Sequence, residues 1–140
     1  MIQQKTGLAR EYLTASYLVR YFDDVFETSE SARYDFLCIK DNINYKIQTK
    51  TTDSKFERNN SHWLRWDIKK KISNKKNDYR VYSQDEVDIF AFVYLSLDKV
   101  LFIPNRNTGK TYQKKVSFIE QANTLETLKS STEAIRDLKL

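Results

Sequence analysis

Two periodicities divide this chain. From Lys5 to Phe22 the apolar residues Leu8, Tyr12, Ala15, Val19 and Phe22 recur at helical spacing, with Leu18 beside them. The stripe predicts an amphipathic helix with these residues inward and Glu11 on its flank. Beyond Phe22 the period shortens to two. Val25 to Thr28, Tyr34 to Lys40 (YDFLCIK) and Asn44 to Thr51 (NYKIQTKT) predict three strands. The DNI between the last two predicts a hairpin turn. In that third strand Tyr45, Ile47 and Thr49 share one face, and Lys46, Gln48 and Lys50 share the other.

Thr52 to Ser61 is polar and predicts a loop. HWLRWDI predicts another strand, with Trp63 inward and Arg65 outward. Two apolar runs follow, Val87 to Leu95 and Lys99 to Pro104, joined by Ser96-Leu97-Asp98 as a hairpin. Uninterrupted runs of this kind predict central strands covered on both faces. From Ser117 to Leu140 the signals are helical, with Leu125, Leu128, Ile135 and Leu138 as an apolar side. Helix, three strands, a basic insertion, two strands and a helix make an α/β sandwich with a mixed sheet.

Composition supports a folded chain. Of its 140 residues 40% are apolar, with nine Tyr and eight Phe, which argues against disorder. The length suits one domain with a sizeable core, 1–140, carrying a basic insertion around 53–80. The single cysteine, Cys38, allows no internal disulfide and fits a reducing compartment. No stretch reads as a signal peptide or a membrane span, so a soluble, cytoplasmic protein with no membrane partner is expected.

Charge adds a partner. The formal net charge is +5, and Asp67 to Arg80 (DIKKKISNKKNDYR) holds six basic and two acidic residues, 6 − 2 = +4. A patch of that kind draws a polyanion by releasing its counterions. It is equally the composition of a solvated basic loop.

The third strand supplies candidate chemistry. Asp35 opens the strand that pairs with it, so its carboxylate and the Gln48 amide oxygen lie within reach of one hard cation, which takes oxygen ligands. Lys50, one step along the same face, is placed for a phosphate or the attacking water. Glu11, from the covering helix, adds a second carboxylate, directly or through water. A cation, two acids and a lysine are what phosphodiester hydrolysis needs. Taken singly each is ordinary: Asp35 caps a turn, Gln48 and Lys50 face solvent, Glu11 edges a helix. Only their combination with the strand and helix context is unusual.

Gly7-x-x-x-Glu11, YDFL with KIQTKT, and YSQDEVDIFAFVYLSLDKVLFIP together resemble the PD-(D/E)XK nuclease superfamily. Within it the likeness is to the group holding Holliday junction resolvases and the homing endonuclease of a cyanobacterial group I intron. The resemblance covers most of the chain. It implies a restriction-endonuclease-like core, a central mixed β-sheet flanked by helices. It also implies roles: Asp35 as main metal ligand, Gln48 and the Thr49 carbonyl as further ligands, Glu11 holding the metal or its waters, and Lys50 stabilising charge. Gln48 departs from the superfamily pattern, which has a carboxylate there; by resemblance the intron-encoded enzyme shares the glutamine. His62, the only histidine, reads as a surface or DNA-contact residue.

The implied activity is a Mg²⁺-dependent endodeoxyribonuclease, with Mn²⁺ as substitute, cutting double-stranded DNA at a specific site. A resolvase of the same fold and a catalytically inactive nucleic-acid-binding subunit are the alternatives. Arg65, Lys69, Lys70, Lys71, Lys75, Lys76 and Arg80 are the expected DNA contacts. One chain carries one site, so a double-strand break implies a homo-oligomer, dimer or tetramer. Tyr112, Phe118, Leu125 and Leu128 are the residues expected to be buried there.

Overall fold

The computed structural model describes residues 2–29, 32–68, 70–71, 79–80, 82–83, 85–106 and 109–140, and of 2–7, 70–71 and 79–80 the backbone alone. Helix α1 (Ile2–Tyr21) leads into β1 (Asp24–Glu27), β2 (Phe36–Lys40) and β3 (Ile43–Thr51). The β2–β3 turn is Asp41-Asn42, both left-handed at φ 51° and 65°, a conformation that Asn and Asp tolerate and that hairpin twist favours. Strands β8 (Ile89–Tyr94) and β9 (Lys99–Pro104) complete a five-stranded sheet of order β1-β2-β3-β8-β9. Only the β3–β8 pair in it is parallel, so the sheet is mixed, as the element order predicts.

Each face of this sheet has its own cover. Tyr45, Ile47, Ile89, Ala91 and Val93 pack under Leu18 of α1, under Phe22 just after it, and under Leu128 and Ile135 of α3 (Thr124–Lys139). Cys38 belongs to this layer, and burial pushes its thiol up to about 12, leaving it inert. On the opposite face Phe90, Phe92 and Leu101 meet Leu64, Trp66 and Ile119. Those come from α2 (Val116–Gln121) and from a second sheet, β10 (Thr111–Lys115), β5 (Ser61–Asp67) and β4 (Lys55–Arg58) in that order. The Trp66 indole N–H donates to the Val93 carbonyl at 3.1 Å and ties the two sheets. All six residues of β8 are therefore buried, as expected of a strand covered on both faces.

Several expectations need correction. In α1, Leu8, Tyr12 and Val19 are 48%, 66% and 62% exposed, while Thr14, Leu18 and, just past the helix, Phe22 are buried. Apolar side chains surround this helix, and the buried arc includes a threonine that hydrophobicity alone passes over. Residues 52–61 are not a loop throughout: β4 pairs with β5 across a turn at Asn59-Asn60, both left-handed. Its alternation is too polar to read as a strand. Trp63 points outward with Arg65, because residues two apart share a face; Leu64 and Trp66 are the inward pair. Strand β10 was not expected. Asp35 stands one residue before β2, not within it. Of the residues expected at an oligomer interface, Leu128 is fully buried in the core, Tyr112 and Leu125 are half-buried, and Phe118 is 47% exposed.

In the basic segment, Lys70–Lys71 (β6) pairs antiparallel with Tyr79–Arg80 (β7). Lys69, Lys75 and Lys76 lie outside the described residues. Among the described residues no helix is long and apolar enough to cross a membrane.

Candidate active site

The two strands of the first hairpin are unequal. Their pairing runs from Lys40↔Ile43 to Phe36↔Ile47, and there β2 ends. Strand β3 continues, held on its other edge by β8 as far as Thr51↔Val93. From Gln48 onward the edge toward β2 has no neighbouring strand among the described residues. Asp35 fills the first vacancy. Its N–H donates to the Ile47 carbonyl at 2.9 Å, and its Oδ2 accepts the Thr49 N–H at 2.8 Å. A carboxylate thus replaces the next rung of the ladder. The N–H and C=O of one strand residue point to the same edge, so the Thr49 carbonyl also faces this gap. The end of β1 locks the turn: Thr28 N–H donates to the Asp35 carbonyl at 3.0 Å, and the Thr28 hydroxyl donates to the Tyr34 carbonyl.

Glu11 of α1, half-buried, reaches the same place. It lines a cavity of about 310 Å³ with Glu27, Thr28, Ser29, Ala32 and Asp35. Burial pushes the Glu11 carboxyl above the usual carboxylate range. The nearby charges of Asp35 and Glu27, and a hydrogen bond with Glu27, push the same way, with Arg10 opposing. Glu27, the last residue of β1, is a third carboxylate that sequence reasoning passed over; its strand was legible, its neighbours were not.

Gln48 and Lys50 are on the other side of β3, half-buried beside Phe90 and Phe92, and do not line that cavity. Asp35, at the strand edge, stands between the two groups. The Lys50 ammonium meets the Tyr82 hydroxyl at 3.2 Å and sits 5.1 Å from that ring's centroid. Tyr82 is set edge-on against Phe90 at 5.7 Å. Its loop is held by the buried Asn105 amide, which donates to the carbonyls of Val87 at 2.9 Å, Ser83 at 3.1 Å and Tyr82 at 3.4 Å. No sequence spacing links Tyr82 to Lys50; only the fold does.

Thr49 is buried, and among the described residues its hydroxyl has no hydrogen-bond partner, so its backbone alone serves the gap. His62 is exposed on β5, its Nδ1 3.8 Å from Glu57. Among the described residues no group of three or more His, Cys, Asp or Glu has metal-holding geometry. A cation here would have to draw on neutral oxygens as well.

A family model described as PD-(D/E)XK endonuclease matches residues 1–135. The chain belongs to that family. No curated protein matches it. The structure of a bacterial homing endonuclease, I-Ssp6803I, superposes with a TM-score of 0.64 over 98% of this chain and 95% of that one, at 14% identity. At that identity the likeness concerns the fold, which is restriction-endonuclease-like. In this PD-(D/E)XK endonuclease the match takes in the whole first hairpin and the overhang of β3.

Proposed function

We propose that this protein is a divalent-metal-dependent endonuclease that hydrolyses double-stranded DNA at a specific site. The observation that carries the reading is the Asp35 carboxylate clamped on the Thr49 amide in the open edge of β3, with Lys50 one residue further on. The donors suit a hard cation: the Asp35 carboxylate, the Thr49 carbonyl and the Gln48 amide oxygen, with Glu11 close to Asp35. Burial first, and then the charges of Asp35 and Glu27, raise the Glu11 pKa, and a cation would relieve the crowding. Mg²⁺ is the expected ion and Mn²⁺ a substitute. When bound it would polarise the scissile phosphate and make water a stronger acid.

The protein's own groups do the rest. Asp35 fixes the position of the charge centre, because two backbone bonds and the β1 anchor hold it. Lys50 brings a cation toward the charge that develops on the phosphate, and Tyr82 and Asn105 hold it there. Gln48 contributes an oxygen without charge, so metal affinity is weaker than with a carboxylate. Arg65, the lysines at 69–71 and 75–76, and Arg80 bind the duplex. One chain makes one cut, and a two-fold homo-oligomer supplies the second site.

Supercoiled plasmid with Mg²⁺, with Mn²⁺ and with EDTA is the test. Conversion to nicked or linear DNA in either metal and none in EDTA is expected. Full activity in EDTA, or none in any condition, sinks the reading and in the second case leaves an inactive binding subunit. Faster cutting of a four-way junction than of linear duplex would move the assignment to a resolvase.

A further inference from the structure

The outward face of the β4–β5–β10 sheet gathers cations and aromatic rings. Register places Phe56, Trp63 and Lys115 in one row across the strands, and Arg65 beside Gln113 in the next. Arg58, opposite Ser61, completes the group. Its guanidinium carbon lies 3.9 Å from the Trp63 ring centroid, and its Nη1 donates to the Gln113 side-chain oxygen at 3.2 Å. The Trp63 indole N–H donates back to the Arg58 carbonyl at 3.3 Å. The Lys115 ammonium sits 5.7 Å from the same ring. One arginine therefore spans three strands, over an indole and hydrogen-bonded to Gln113 before any partner arrives.

We propose that this face docks on duplex DNA, with Arg58, Arg65 and Lys115 on the phosphates and base edges of a groove beside the scissile bond. Charge selects the class of partner: three cations face outward and Asp67 is the one acid in their rows. The aromatic rings are half-buried under cations, so the face offers little apolar surface to a protein. Arg and Gln are the side chains whose planar donors and acceptors fit guanine and adenine edges. Outer strands of a three-stranded sheet lie about 10 Å apart, close to the roughly 12 Å width of the major groove. Continuity with the cleavage site is covalent as well as spatial. β4 begins shortly after Lys50, and the Thr52 hydroxyl donates to the Arg65 carbonyl at 2.5 Å while Arg65 N–H donates to the Ser54 carbonyl at 3.2 Å. The placement beside a scissile bond rests on the endonuclease reading; the binding itself does not.

The test measures binding of a labelled random-sequence duplex of about 40 base pairs in EDTA, across a salt series, with a single strand of equal length as competitor. Arg58→Ala with Arg65→Ala should weaken binding about tenfold for each phosphate left unneutralised near 0.1 M salt, and lower the log–log salt slope by about 0.9 for each such phosphate. Because Arg58 packs on Trp63, Arg65→Gln with Lys115→Gln is the second variant, and it should fold and show the same direction. Glu57→Ala, on the opposite face, should change neither quantity. Unchanged affinity and slope in both variants overturns the proposal, as does single-stranded DNA competing as well as duplex. A wild type that binds in this way yet never cuts leaves the face standing and removes the nuclease.

Discussion

The two hairpins of the main sheet are built on opposite plans. In β8–β9 all six residues of each strand find a partner, from Ile89↔Pro104 to Tyr94↔Lys99, and every side chain of β8 is buried. In β2–β3 a strand of five residues faces one of nine, and the surplus carries polar groups at a widened edge. Complete pairing under two layers secures the fold. Incomplete pairing leaves one edge of β3 open from Gln48 onward among the described residues, where the proposed chemistry is placed, while β8 pairs its far side as far as Thr51.

The contrast breaks first, and most visibly, at Phe102. Phe102→Ala should cost about 3–5 kcal/mol in thermal or denaturant unfolding. It lies on β9, away from the gap, so the folded fraction should cut at the wild-type rate. Lys50→Ala and Asp35→Asn are its mirror image. Each should lower single-turnover cleavage about 10²–10³-fold while duplex affinity and melting temperature stay near wild type. A melting loss equal to that of Phe102→Ala would abolish the division between the hairpins.

Much of this plan was readable beforehand and some was not. The hairpins declared themselves through β-branched and aromatic alternation and through DNI, whose left-handed Asp41 and Asn42 confirm the turn. Asp35, Gln48 and Lys50 could be aligned because strand period and hairpin register are local properties. Glu27, Tyr82 and Asn105 were invisible, because each reaches the site through pairing between distant segments. The stripe of α1 misled for a different reason: Leu8, Tyr12 and Val19 are as hydrophobic as the residues that turn inward, and only packing chooses between them.

Tyr82 sharpens the comparison at smaller scale. Tyr82→Phe removes the hydroxyl that meets Lys50 and keeps the ring on Phe90. Cleavage should fall about tenfold. In a Lys50→Ala background the same change should add nothing, since both act through one ammonium. Multiplying losses would show that Tyr82 works elsewhere. Thr49→Val should do least. Its hydroxyl is buried with no partner among the described residues, so valine should leave cleavage intact and raise stability by at most about 1 kcal/mol. A large loss of cleavage would mean that the side chain, and not the backbone, serves the gap.

The β4–β5–β10 sheet also bears on how such a protein diversifies. Leu64 and Trp66 lie beneath it, against the main sheet, while Arg58, Trp63, Arg65, Gln113 and Lys115 lie on top. Neighbouring positions along β5 are thus answerable to different judges, Trp63 and Arg65 to whatever lies outside and Leu64 and Trp66 to the core. A lineage can rewrite one set while inheriting the other intact. On the proposed docking, single substitutions in the outer set would change what the face reads and leave the packing beneath it untouched.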